Sequence, residues 1–161
     1  MHANHPDSVC ATTFDSFTYQ PLQAASPPAS KGVYVIRVSR PGAPIPDVFR
    51  ASKAAIERLR WPMVEKHAVS RLDRVARVAD CPILDIGSAG TAESSKHTLK
   101  GRYEDFGGRH TIMFPLWSLL FHEWELEYGW VADSAAAQLE IRLKSRYRDI
   151  HEGKLPALVS R

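Results

Sequence analysis

The chain has 161 residues, 44% of them hydrophobic and 24% charged, with a formal net charge of +3. That length is enough for one domain with its own core, and the composition is that of a folded protein. No run of about 18 apolar residues occurs, which excludes a membrane-spanning helix, and MHANHPDSVC at the N-terminus has no leader pattern. Cys10 and Cys81 are the only cysteines and belong to no CxxC pair, so a cytoplasmic protein with reduced thiols is expected.

Residues 1–30 carry scattered turn formers, including Ser26-Pro27-Pro28, and read as a poorly ordered N-terminal arm. A domain is expected over 31–161. Lys31-Gly32 opens Val33-Tyr34-Val35-Ile36-Arg37-Val38, a strand by its β-branched content, which Pro41, Pro44 and Pro46 end. A helical insertion at about 47–80 follows. Its first helix is capped by Asp47 and runs to about Arg60. Its second is basic and covers roughly 64–79. CPILDIGSAG, residues 81–90, reads as the second strand. A helix spans 96–106, stopped by Gly107-Gly108, and an apolar helix spans about 111–122. In EWELEYGWV, Trp124, Leu126, Tyr128 and Trp130 alternate with Glu123, Glu125 and Glu127, which is the period of a strand with one wet face. The last helix runs from Ala135 to about His151. Three strands and several helices make a small α/β (α+β) layer structure.

Common motifs are absent. Gly87-Ser88-Ala89-Gly90 is followed by no Lys-Ser/Thr pair of a P-loop and fits no G-x-G-x-x-G. Ser88 lacks the G-x-S-x-G elbow, and the seven histidines include no HxxxH pair. Charge is more informative. Between Arg37 and Arg77 ten Lys/Arg face four Asp/Glu, and from Glu140 to Arg161 six face three. Clustered basic charge suits a polyanionic partner, although solvated helix faces give the same pattern.

Four small signatures then fall in order: Gly32-Val33-Tyr34 on the first strand, Asp85-Ile86-Gly87 on the second, Arg102 on the next helix and Glu140 on the last. With Leu155-Pro156-Ala157-Leu158 near the end, this series resembles the GIY-YIG nuclease family over about residues 31–160. The resemblance implies a three-stranded, mainly antiparallel sheet flanked by helices, with the helical insertion between strands one and two. It also implies a Mg²⁺- or Mn²⁺-dependent endonuclease acting on nucleic acid, DNA before RNA. The second tyrosine of the family pattern is Asp85 here. His110 is the nearest histidine to the position after the arginine where the family often has one. No Asn follows Leu155-Pro156-Ala157-Leu158.

Each residue has a chemical reason to serve. Glu140 lies at the edge of the apolar stripe Ala136, Leu139, Leu143, Tyr147, Ile150 and offers hard oxygen to a metal, or else pairs with Lys144 one turn on. Arg102 can clamp a phosphate with its planar fork, or stay a surface arginine near Glu104 and Asp105. The resemblance gives Tyr34 the part of the proton-accepting tyrosine, which requires positive charge from Arg102 and a metal to lower its pKa; otherwise it is a core aromatic whose hydroxyl finds a partner at the rim. A carboxylate in a buried strand is costly unless paired, so Asp85 has three open placements: beside Tyr34 near the metal, in an ion pair with a basic helix, or exposed at the sheet edge. His110 can act as acid or base, or cap a helix. Lys96, Lys100, Arg109, Arg71 and Arg74 are the candidate nucleic-acid contacts. Two other functions stay open: an inactive nucleic-acid-binding module of the same fold, and a protein-interaction domain using the aromatic strand.

Overall fold

The computed structural model describes residue 10 and residues 12–58, 73–76, 81–90, 97–107 and 112–159. Along the chain run β1 (Thr18–Pro21), a 3₁₀ turn (Leu22–Ala24), β2 (Gly32–Arg40), α1 (Ile45–Arg58), β3 (Ile83–Ala89), α2 (Leu99–Asp105), α3 (Met113–Phe121), β4 (Glu125–Ala132) and α4 (Ala136–Ile150). The strands form one sheet in the order β1-β4-β2-β3 with every pairing antiparallel, so the class is α+β. No helix among the described residues is long and apolar enough to cross a membrane.

Side-chain alternation along the strands divides the core into two layers. Tyr34 and Ile36 of β2, with Leu126 and Tyr128 of β4, bury one face against Val48 and Ile56 of α1, Leu99 of α2, and Leu116 and Leu119 of α3. Val33, Val35 and Ile86 bury the other face against Ala136, Leu143 and Tyr147 of α4. The stripe expected on the last helix is therefore its core face. The wet face of β4 meets arginines of β2: Glu127 accepts from Arg37 at 2.7 Å, and Glu125 pairs with Arg40. Trp124 donates its indole N–H to the Ala43 carbonyl at 2.9 Å. The aromatic strand thus contributes mostly to the core.

One expectation is corrected: the sheet has four strands, not three, and the fourth comes from the segment before residue 31. Residues 18–21 pair with β4, Thr18 opposite Trp130 and Pro21 opposite Glu127. The Tyr19 ring covers Gly129, where a Cβ would overlap it, and the Arg37 guanidinium lies 3.5 Å from the centre of that ring. Phe14 and Phe17 are buried in the α4 layer, each burial stabilising by roughly 1.5–3 kcal/mol. Four residues ending in proline give no periodicity, so tertiary packing alone defines β1.

In the insertion, α1 begins at Ile45, which puts Asp47 inside its first turn instead of at the cap. The second insertion helix expected at 64–79 lies outside the described residues except for 73–76.

Candidate active site

β3 is an edge strand, and its open side carries the site. The register sets Tyr34 opposite Gly87 and Ile36 opposite Asp85, so Tyr34, Asp85 and Gly87 share a face. Any Cβ at residue 87 would overlap the Tyr34 hydroxyl and ring. Glycine there lets the phenol cross β3 and reach the edge, where it donates a hydrogen bond to the Asp85 carboxylate. Stacking on Tyr128 (centroids 5.5 Å apart) and an edge contact with Phe106 (5.6 Å) hold the ring in place.

Arg102 arrives from α2, whose start is capped by the Thr98 hydroxyl accepting from the Gly101 N–H at 3.1 Å. Its Nη1 lies 3.8 Å from Asp105 Oδ2, a weak pairing for a half-buried side chain. The Nε is buried and has no acceptor among the described residues. Glu140 comes from the first half of α4, at the border of its core face. It accepts from Ser88 Oγ of β3 and pairs with Lys144.

Tyr34, Asp85, Ser88, Arg102, Glu140 and Lys144 line one cavity of about 270 Å³. Ile112, Leu158 and Val159 also border it. Leu158 docks by donating its N–H to the Leu84 carbonyl at 2.8 Å, which brings the segment after Leu155-Pro156 to the site. All four residues of the sequence signature thus converge, although they come from four elements.

The electrostatics differ from expectation at Tyr34. Burial first, and then the Asp85 carboxylate, push its phenol well above the ordinary value, and Arg102 only partly opposes them. Tyr34 therefore keeps its proton at neutral pH, because desolvation outweighs the guanidinium. Asp85 is the group that titrates near neutrality. Burial raises it from 3.8 to about 7, with Glu140 adding to the rise and Lys144 and the Tyr34 hydroxyl opposing it. At 5% exposure Asp85 is not at an open sheet edge. Asp85 lies beside Tyr34 and near Glu140, with Lys144 as the facing cation.

The donor set fits a hard divalent cation. Glu140 and Asp85 supply carboxylate oxygens in one cavity, Glu140 disfavours charge on Asp85, and a cation there would oppose that effect as Lys144 does.

Among the candidate nucleic-acid contacts, Lys100 is exposed on α2, two residues before Arg102. Arg74 instead donates to the Leu158 carbonyl at 3.1 Å, and so holds the segment that borders the cavity. His110, Lys96, Arg109 and Arg71 lie outside the described residues.

Sequence reasoning tests Ser88 only as a nucleophile and so misses its place beside Glu140, and it offers Lys144 only as a competitor for that carboxylate. The i,i+4 spacing does signal the Glu140–Lys144 pair. Ser88 has no such signal, because its partner is 52 residues away. Comparison with protein-family models, curated proteins and solved structures gave no match to this chain.

Proposed function

We propose that this chain is a divergent GIY-YIG-like, metal-dependent endonuclease that hydrolyses phosphodiesters in DNA. The observation that carries the reading is the convergence of Tyr34, Asp85, Arg102 and Glu140 on one cavity at the edge of β3. Antiparallel pairing of the strands bearing Gly32-Val33-Tyr34 and Asp85-Ile86-Gly87 also supports it.

Each residue then has a step. Arg102 clamps the scissile phosphate, and its buried Nε gains an acceptor there. Glu140, oriented by Ser88, is the residue that would hold Mg²⁺ or Mn²⁺. When bound, such an ion offsets negative charge on the phosphoryl oxygens and acidifies its water. Asp85 in its ionised form is the proton acceptor. The attacking water passes a proton to the Tyr34 oxygen as the phenol passes its own to Asp85, so Tyr34 relays without becoming a phenolate. Asp85 in place of the family's second tyrosine therefore substitutes for a base that burial denies to Tyr34. Exposed Lys100 and the exposed Arg142 and Arg146 of α4 supply backbone contacts.

The test is nicking of supercoiled plasmid with Mg²⁺ or Mn²⁺ by the wild type, Glu140→Ala and Arg102→Ala. Cleavage that needs metal and is lost in both variants supports the enzyme. A second reading, the inactive binding module, is favoured by one observation: Ser88 and Lys144 both engage the Glu140 carboxylate. Salt-sensitive DNA binding with no nicking in either metal selects that reading.

A further inference from the structure

In the α4 layer, away from the cavity at the edge of β3, Cys10, Cys81 and His151 form a second constellation that the nuclease reading does not use. Their ligand atoms all lie within 4.8 Å of one another. Cys10 and Cys81 are buried in the α4 layer, Cys81 just ahead of β3, and His151 caps the end of α4. We propose that these three side chains form a zinc site that ties the N-terminal segment to β3 and α4.

Three features point to a soft metal. The two sulfurs are 3.6 Å apart, with no disulfide between them. Two thiolates on tetrahedral zinc, each at about 2.3 Å, are about 3.8 Å apart, so the pair is already near its liganding separation. The Ile83 N–H points at Cys81 Sγ at 3.4 Å, a donor that favours the thiolate. The His151 ring is stacked on Tyr147, with centroids 4.1 Å apart and planes 24° from parallel, which fixes its orientation. The ligand set Cys₂His suits zinc, whereas the oxygen-only set around Glu140 suits magnesium. Three protein ligands leave a fourth position for water. Binding releases the two thiol protons to solvent, so uptake strengthens as pH rises.

The site is independent of the nuclease cavity. From Glu140 to His151 is eleven residues along α4, about 16 Å of helix. A metal there would tie down Cys10, whose segment is also held by Phe14, Phe17 and the short β1.

The experiment uses the full chain, reduced and freed of metal, titrated with Co²⁺ as an optical probe and then with Zn²⁺. The expected result is one equivalent of Co²⁺ with a near-ultraviolet thiolate charge-transfer band and tetrahedral visible bands, both removed by Zn²⁺ and untouched by Mg²⁺. Saturating zinc should raise the melting temperature by roughly 5–10 °C. Cys81→Ser and His151→Ala should each weaken cobalt binding more than about 100-fold. Glu140→Ala should bind as the wild type does, which separates this site from the nuclease reading. A fully reduced wild type that gives no charge-transfer band overturns the proposal, whatever the variants do. A band that survives intact in folded Cys81→Ser, checked by circular dichroism, overturns it too.

Discussion

Replacing Asp85 with asparagine should make the protein more stable at alkaline pH and, under the proposed function, remove the proton acceptor. In the folded chain Asp85 is buried and titrates at about 7, against 3.8 when unperturbed. Between those values the folded state holds a proton that the unfolded chain has released, so stability falls as pH rises through that window and levels off above it. Each tenfold change in proton affinity corresponds to about 1.36 kcal/mol, so the ionised carboxylate destabilises the fold by about 4 kcal/mol at pH 8. At pH 5 only about 1–2 kcal/mol is already lost. Asparagine keeps an acceptor for the Tyr34 hydroxyl and carries no charge, so Asp85→Asn escapes this loss. Urea unfolding of both proteins at pH 5 and pH 8, with chelator present, measures the difference. The variant should gain about 2–3 kcal/mol on the wild type between the two pH values. A gap that is constant with pH, or a variant less stable than wild type at pH 8, would refute the burial and charge argument for Asp85.

Other consequences follow from the same contacts. Gly87→Ala forces the Tyr34 ring from its place across β3 and should cost about 1–3 kcal/mol in urea unfolding, with nicking lost before DNA binding. Because Lys144 is the cation that lowers Asp85, Lys144→Met should move the alkaline-rising limb of the nicking rate to higher pH. That shift is read from a pH–rate profile, and a downward shift would contradict the assignment. Thr98→Ala removes the cap of the helix that carries Arg102 and should cost about 1 kcal/mol of stability.

Much of this fold is legible in the sequence, because its long elements carry strong periods. Period two in residues 124–130 marks β4, and the 3.6-residue stripe of Leu139, Leu143 and Tyr147 marks the core face of α4. Asp85 stands out as a charge inside an apolar run, and the structure gives it partners within one cavity. What stays hidden depends on distance along the chain or on burial. β1 is four residues long and is defined by β4, more than a hundred residues later. The acidity of Tyr34 is not legible, because burial, which sequence does not display, outweighs the guanidinium that it does. Likewise, Cys10, Cys81 and His151 are each separated by about seventy residues, so no ligand spacing could announce them.

The most direct single measurement is the rate of metal-dependent plasmid nicking by Glu140→Ala relative to wild type, with DNA affinity measured on the same samples. If the cavity at the edge of β3 is catalytic, the wild type nicks, and the variant loses about 100-fold or more in rate while binding DNA equally well. Equal nicking by the two proteins would contradict the site, and no nicking by the wild type in either Mg²⁺ or Mn²⁺ would contradict the enzyme.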